Sequence, residues 1–208
     1  MKPSPIFEGA DEQKIADQLK EEYIRLLSHQ GKEMLNLPFF APKFKGIANW
    51  LCSLSSEKKG LIIGGSVGIG KTTLLKAIKM VLVRNNKLFL SNVSASLVND
   101  SYKVRDSSEA WDALLGKAIL RLPKGDKPVC EILLIDDLGM EEDMVNDYGT
   151  KSQPMAKLLH ERADKGLITI VTTNFPSIES MRAKYDDRVI DRLSSYAKLF
   201  YNIKSFRV

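Results

Sequence analysis

Short apolar runs alternate with stretches of helical spacing along this chain of 208 residues. The apolar runs are bounded by glycine or polar residues and are too short for helices, so they predict buried strands. These strands are expected at residues 61–63, 88–90, 132–135, 168–173 and 198–203. Strands that alternate with helices are typical of a parallel sheet covered on both faces. The sequence therefore predicts an α/β fold of three α/β/α layers with a mostly parallel sheet of about five strands.

Apolar residues at helical spacing predict the helices that cover this sheet. These helices are expected at residues 72–83, 95–122 with an interruption near Asp106, and 154–165, with Gly166 as a stop. Two short helices are expected between residue 174 and the last strand. This order places a helix after each of the strands that carry the motifs described below.

The N-terminal part, residues 1–45, predicts a short helical extension of a main domain that covers residues 46–208. Apolar residues recur at helical spacing over 11–30, a connector rich in Pro and Phe is expected at 37–42, and an apolar helix over 45–54. Two interpretations stay open for this extension. It is either an adaptor surface for a partner or a helical pair packed on the edge of the main domain.

Composition narrows the class of protein. A hydrophobic fraction of 44% and a charged fraction of 27% are typical of a soluble globular domain. No apolar run reaches the roughly 18 to 20 residues that span a bilayer, and the first residues have no apolar signal core. We therefore expect a cytoplasmic protein with no membrane contact. The net charge of +5 favours an acidic partner such as nucleic acid, but it also fits a basic soluble protein without one.

The first predicted strand runs into the pattern G-x-x-x-x-G-K-[ST], directly before a predicted helix. Its residues are Gly65, Ser66, Val67, Gly68, Ile69, Gly70, Lys71 and Thr72, with Thr73 next. Glycines let the backbone wrap around phosphate oxygens, and the helix N-terminus adds a favourable dipole. Lys71 places a charge on the β- and γ-phosphates, and the Thr72 hydroxyl is a Mg²⁺ ligand. This motif, a P-loop, predicts a binding site for ATP with Mg²⁺.

A second polar cluster follows the strand at 132–135, where Asp136 and Asp137 end an apolar run. If this strand neighbours the P-loop strand, Asp136 lies beside the Mg²⁺ and Asp137 beside the water that attacks the γ-phosphate. Glu141 and Glu142 follow closely, so the identity of the water-activating acid stays open. The alternative is an acidic surface turn without a metal.

Two further sets of polar residues are candidates for the same chemistry. Asn174 ends the strand at 168–173 and could orient the attacking water, although Thr-Thr-Asn also fits an ordinary strand exit. Arg188 and Arg192 lie one helical turn apart and share a helix face. They are either a solvated face with aspartate partners or candidates to reach the γ-phosphate of a neighbouring subunit.

In this order and spacing, the motifs resemble those of AAA+ ATPases, in the branch with DnaC-type helicase loaders and IstB-type transposition helper ATPases. GGSVGIGKTT resembles the Walker A motif, ILLIDDLGME the Walker B motif of that branch, and VTTNF the sensor 1 strand. RVIDRLSSY resembles the helix that ends in Asp-Arg-Leu, and KSFRV the closing motif. The resemblance covers most of the chain from about Asn49 onward and implies an AAA+ fold without a full C-terminal lid.

The resemblance also implies roles within one subunit. Lys71 and Thr72 bind phosphates and Mg²⁺, and Asp136 coordinates the metal. Asp137 polarises the lytic water, while Asn174 senses the γ-phosphate.

Other implied roles involve a second subunit or DNA. Arg192 is the arginine finger that acts in trans, with Arg188 as a substitute, and Arg207 contacts nucleotide. Lys103 and Arg105 lie in a stretch similar to the DNA-contacting insertion of initiator and loader relatives.

The favoured prediction is an ATPase of the DnaC type that binds single-stranded DNA and forms a homo-oligomeric ring or spiral. Its partner is then a replicative helicase or, for an IstB-like transposition helper, a transposase. Two rival predictions stay open. One is a small-molecule kinase on the same P-loop scaffold, and the other is an adaptor in which ATP controls partner affinity with little hydrolysis.

Overall fold

The structure is a computed structural model that describes residues 6–31, 37–52, 60–85, 93–106, 109–116, 119–120, 127–128, 132–147 and 149–201. Its strands are β1 (Gly60–Gly65), β2 (Val93–Ser94), β3 (Ile119–Leu120), β4 (Lys127–Pro128), β5 (Ile132–Leu138), β6 (Val145–Asp147), β7 (Thr150–Ser152), β8 (Ile168–Thr173) and β9 (Ala197–Tyr201). Its helices are α1 (Glu12–His29), α2 (Leu37–Cys52), α3 (Lys71–Arg84), α4 (Ala95–Lys103), α5 (Ala110–Leu114), α6 (Pro154–Asp164) and α7 (Asp187–Ser194), with a 3-10 helix at Glu179–Ala183.

Five strands form the central sheet in the order β2-β5-β8-β1-β9, and every pairing in it is parallel. The predicted fold class and the strands at 61–63, 132–135 and 168–173 are therefore confirmed. The last strand is Ala197–Tyr201, and the end predicted for it lies outside the described residues. The strand predicted at 88–90 also lies outside them, and the described strand beside β5 is Val93–Ser94.

Side chains from the central strands alternate between two apolar cores, one on each face of the sheet. In β1, Leu61 and Ile63 join the core that contains α1, α2 and α3, whereas Ile62 joins the core that contains α4, α5, α6 and α7. In β5, Leu134 faces the first core and Leu133 the second. Successive strand residues point to opposite faces, so a run apolar at every position is buried on both sides. The three layers that the sequence predicts follow from this pattern.

The helix predicted over 95–122 is wrong in its second half. It is divided into α4 and α5, and Ile119–Leu120 pairs in antiparallel fashion with Lys127–Pro128. The predicted interruption near Asp106 falls between the two helices. Gly116 follows the end of α5 at φ +68°, a left-handed conformation that stops a helix and that glycine adopts without strain.

The connector predicted at 37–42 is also wrong, because α2 begins at Leu37 and contains Pro42. An internal proline costs a helical hydrogen bond. Packing offsets that cost here, since the Phe40 and Phe44 rings contact Tyr23 of α1 at centroid distances of 5.7 Å and 5.6 Å. The two N-terminal helices thus share the core of α3 and β1. The domain division predicted at residues 45 and 46 stays a prediction, and α2 runs through it.

Candidate functional site

The strand order corrects one step of the sequence argument. β5 does not neighbour β1, because β8 lies between them. Thr173 at the end of β8 pairs with Gly64 on one side and Leu138 on the other. The carboxyl ends of all three strands therefore meet at one edge of the sheet, which we call the carboxyl edge. Asp136 and Asp137 lie in the last residues of β5, the P-loop follows from the end of β1, and Asn174 directly follows β8.

The P-loop at this edge depends on glycine at particular positions. Gly68 and Gly70 have φ of +86° and +87°, in the left-handed region that favours glycine. A Cβ at Gly70 would lie 2.2 Å from the Tyr23 hydroxyl oxygen of α1. Gly70 is also the N-cap of α3 and provides no side-chain hydrogen bond to the first turn. The N-terminus of α3 therefore keeps backbone N–H groups that suit phosphate oxygens.

Lys71 closes the loop onto itself. Its Nζ donates hydrogen bonds to the carbonyl oxygens of Gly65 at 2.7 Å and Ser66 at 2.8 Å. The residue is 6% exposed, which is low for a lysine, so its ammonium group depends on these polar partners. The loop thus holds a positive charge beside its own backbone.

Other side chains of the P-loop are either buried in the fold or exposed to solvent. Ile69 and Thr73 are buried and anchor it to the fold, whereas Ser66 and Val67 are exposed.

Thr72 and Asp136 are brought together although β5 is two strands away from β1. The Thr72 hydroxyl donates to Asp136 Oδ1 at 3.2 Å. Thr172 in β8, which the sequence argument missed, donates its hydroxyl to the same Oδ1 at 2.5 Å and accepts from the Asp137 N–H at 2.9 Å. The signal was available, since a polar residue in a strand buried on both faces needs a partner.

The donor set fits the magnesium ion that the P-loop implies. Hydroxyl and carboxylate oxygens are the ligands that Mg²⁺ takes in proteins, usually with several waters retained. Thr72 and Asp136 supply one of each at hydrogen-bond distance. Among the residues that the structure describes, no group of three or more His, Cys, Asp or Glu side chains could hold a metal ion. With Thr72 and Asp136 as protein ligands, a bound Mg²⁺ would take phosphate and water oxygens as further ligands.

Asp137 has an unusual backbone and a perturbed carboxyl group. Its φ of +59° is uncommon for a residue with a side chain, and residues held in such conformations often lie at active sites. Burial raises the pKa of the Asp137 carboxyl, and the negative charge of Asp136 raises it further, while Lys71 lowers it. The pKa of this carboxyl therefore depends on the charges of both Asp136 and Lys71. Its half-buried position leaves it accessible to a ligand.

The structure separates the two other acids near this edge. Glu141 is 4% exposed, and its carboxylate accepts hydrogen bonds from the Gly139 N–H and the Tyr185 hydroxyl. The Glu142 side chain is exposed and lies 3.5 Å from the Lys103 ammonium. Asn174 directly follows β8 at the carboxyl edge and is half buried.

Arg192 of α7 lies at the opposite edge of the sheet. α6 ends at Asp164 shortly before β8 begins, so Asp164 lies at the amino edge of the sheet. Arg192 Nη2 contacts Asp164 Oδ1 at 2.8 Å, which places Arg192 at that amino edge, away from the P-loop of its own chain. Arg188 is exposed in the first turn of α7, and Arg207 lies outside the described residues.

The two candidate DNA contacts differ in accessibility. The side chain of Lys103 is 46% exposed and close to Asp100 and Glu142. Arg105 lies with its guanidinium carbon 4.3 Å from the Tyr102 ring centroid, and its side chain is 20% exposed.

None of the helices in the described ranges is long and apolar enough to span a membrane.

Comparisons with known proteins bear on the fold. No protein-family model matches the sequence, and no curated protein matches it. Among solved structures, the chain is similar to a candidate primosome component from Streptococcus pyogenes serotype M3, with 24% identity, 78% of each chain covered and a TM-score of 0.52. It is similar to the DnaC helicase loader, with 18% identity, 76% of this chain and 87% of that one covered, and a TM-score of 0.52.

A third similar structure is AMPPCP-bound DnaA from Aquifex aeolicus, with 17% identity, 77% of this chain and 45% of that one covered, and a TM-score of 0.53. At these identities the likeness concerns the fold, and function has to be argued from the site. At the level of the fold, the likeness agrees with the predicted α/β architecture, since the chain folds like a helicase loader and a replication initiator.

Proposed function

We propose that this chain is a Mg²⁺-dependent ATPase that acts as a nucleotide switch, in the manner of a DnaC-type helicase loader. The observation that carries this proposal is the junction of Thr72, Asp136 and Thr172 beside Lys71 at the carboxyl edge. A chance glycine-rich turn would not bring a metal-binding pair of oxygens from separate strands next to a buried ammonium group. Two of the similar structures, a helicase loader and a nucleotide-bound initiator, support the same class.

The residues divide the work within one subunit. The loop from Gly65 to Lys71 holds the phosphates, and Thr72 with Asp136 would hold Mg²⁺, which supplies charge neutralisation at the phosphates. Asp137 accepts the proton of the attacking water. Asn174, at the same edge, orients that water.

A second copy of the chain completes the site. Arg192 lies at the amino edge, so it can stabilise the transferred phosphate only from a neighbour whose amino edge meets this carboxyl edge. A head-to-tail contact of this kind generates a ring or an open helix. A subunit on its own should therefore hydrolyse ATP slowly, and assembly should accelerate it. Images of particles with ATP and single-stranded DNA should show such a ring or spiral, and monomers would contradict it.

The direct test is phosphate release per subunit measured over a range of protein concentrations, with and without single-stranded DNA. We expect the rate per subunit to rise with concentration and with DNA. A rate independent of concentration would contradict the assembled site. Phosphate transferred to a nucleoside or shikimate-like acceptor, with little free phosphate, would favour the small-molecule kinase. Tight ATP binding with negligible release in every condition would favour the adaptor.

Single-stranded DNA is the proposed ligand of the assembled form, with Lys103 on α4 as a contact. Backbone contacts to phosphates weaken steeply with salt, because bound counterions are released on binding. Fluorescence anisotropy of a labelled oligonucleotide should show this salt dependence and a smaller salt slope for Lys103→Ala. Equal binding at low and high salt would contradict it. Binding assays with a purified replicative helicase and with a purified transposase distinguish a loader from a transposition helper.

A further inference from the structure

The loop that follows β5, residues 139–143, contains a carboxylate buried among exposed neighbours. Glu141 is 4% exposed, whereas Met140 is 69% exposed and the side chains of Glu142 and Asp143 are 71% and 69% exposed. A glutamate is rarely buried without partners, because removing a charge from water is costly. The burial of this one acid in an otherwise exposed loop therefore indicates that its carboxylate has a specific structural role.

The partners of Glu141 connect two segments that are distant in sequence. Its Oε2 accepts a hydrogen bond from the Gly139 N–H at 2.8 Å, and its Oε1 accepts one from the Tyr185 hydroxyl. Lys184 Nζ lies 3.9 Å from Oε1 and donates to the Glu141 carbonyl oxygen. Lys184 and Tyr185 follow the 3-10 helix after β8. The carboxylate thus ties the loop after β5 to the segment after β8.

The Gly139 N–H that Glu141 accepts from lies two residues after Asp137, whose conformation needs support. The Asp137 N–H donates to the Thr172 hydroxyl, and its carbonyl oxygen accepts from the Met140 N–H at 3.0 Å. Glu141 holds the Gly139 N–H, so each side of the turn has a partner.

Gly139 itself leaves the turn little room to move. Its φ is +103°, and a Cβ there would lie 2.4 Å from the Phe175 ring. The turn that aims Asp137 is therefore fixed by its hydrogen bonds and by close packing.

Glu141 is poorly suited to be the water-activating acid itself. Both of its carboxylate oxygens are engaged, and the group is enclosed by Tyr185, which is 2% exposed. We propose that Glu141 and Tyr185 form a positioning pair that holds the turn of Asp137, and that Asp137 alone meets the water. This inference rests on the proposed ATPase function.

The test compares four variants and one control variant in the full chain. Tyr185→Phe removes the hydroxyl donor, and Glu141→Ala removes the acceptor of both hydrogen bonds. Misplacing a catalytic group by a fraction of an ångström lowers turnover more than binding, so we expect kcat to fall roughly tenfold or more in each. KM and ATP affinity should stay within about twofold, because the P-loop is not altered. The double variant should lose little more than either single one.

Glu141→Gln distinguishes a positioning residue from a base. Glutamine can accept from the Gly139 N–H and donate to the Tyr185 oxygen, so it keeps both contacts without a proton-accepting carboxylate. We expect it to retain most of the kcat that Glu141→Ala loses. The matched control is Glu142→Ala, which removes the exposed acid next in sequence and should keep parental kcat. Melting temperatures report folding, and Tyr185→Phe, which deletes one oxygen atom, keeps the test valid if Glu141→Ala does not fold.

Each contrary result has a distinct meaning. Parental kcat in both Tyr185→Phe and Glu141→Ala would overturn the positioning pair and leave the ATPase intact. A Glu141→Gln variant as inactive as Glu141→Ala, with ATP affinity unchanged, would make Glu141 the base and overturn the inference. A parent chain that hydrolyses no ATP would overturn the proposed function and this inference together.

Discussion

The two edges of the central sheet differ in how their polar groups are held. At the carboxyl edge, Thr172 and Glu141 are buried, and they are hydrogen-bonded to Asp136 near the end of β5 and to Gly139 just after it. At the amino edge, Arg192 contacts Asp164 with side chains that are 38% and 55% exposed. An ion pair this exposed contributes only about 0–1 kcal/mol. One edge is thus preorganised within the chain, and the other holds an arginine that, under the proposed function, a second copy would recruit at little cost.

Replacing Arg192 breaks this comparison most strongly. Arg192→Ala should lower the assembly-dependent turnover by about 10³-fold or more, because an arginine finger stabilises charge on the transferred phosphate. Affinity for ATP in the isolated subunit should change little. The measurement is turnover at saturating ATP and high protein concentration. Full turnover in Arg192→Ala, with a large loss in Arg188→Ala, would transfer the role to Arg188.

Replacing Asp137 tests the carboxyl edge within one subunit. Asp137→Asn should lower turnover by about 10²- to 10⁴-fold, the range for loss of a general base. Asparagine tolerates the left-handed conformation and relieves repulsion with Asp136, so folding and ATP binding should persist. Turnover, ATP affinity and the melting temperature, measured on the same preparation, check the expected loss of activity and the expected retention of ATP binding and folding. Retained turnover in Asp137→Asn would mean that another group activates the water.

Replacing Asp164 should have the smallest effect of these three substitutions, and it tests how firmly the amino edge holds Arg192. Asp164→Asn removes the contact that holds Arg192 within its own chain, so Arg192 becomes more available to a neighbour. The protein concentration that gives half-maximal turnover should fall by up to about fivefold, which corresponds to a surface ion pair. Asp191→Asn is the matched control, because it removes the same charge from an exposed position on α7. If both variants shift this concentration equally, the change in net charge, and not the release of Arg192, would explain the effect.

The parts of the fold that the sequence predicts are those governed by local pattern. Strands buried on both faces show as continuous apolar runs, and the P-loop shows as glycines at fixed spacing. Strand order does not follow from local pattern, and it put β8 rather than β5 beside β1. The connector at 37–42 was wrong because contacts of Phe40 and Phe44 with distant aromatic rings outweigh the local preference of Pro42.

The residues of the candidate site also divide into those that the sequence predicts and those that it does not. Lys71, Thr72 and Asp136 belong to motifs whose spacing reflects their chemistry, and the structure brings them together. Thr172, as a polar residue in a buried strand, could be expected to need a partner, but Thr172 and Glu141 contact residues that are 36 and 44 positions away, so a single sequence does not identify those partners. The hairpin of β6 and β7 was not predicted, although its turn has a usable sequence signal. Gly149 has a φ of +86° and donates its N–H to the Asn146 side chain in this turn.

Calorimetric titration of the chain with ATP and Mg²⁺ tests most directly whether the carboxyl edge grips a triphosphate. The parent and Lys76→Ala, which alters an exposed lysine on the same helix, should bind alike. Lys71→Ala should bind about 10- to 100-fold more weakly, because it loses charge-assisted hydrogen bonds to the phosphates. A parent chain that binds no ATP, or a Lys71→Ala variant that binds as tightly as the parent, would contradict the account.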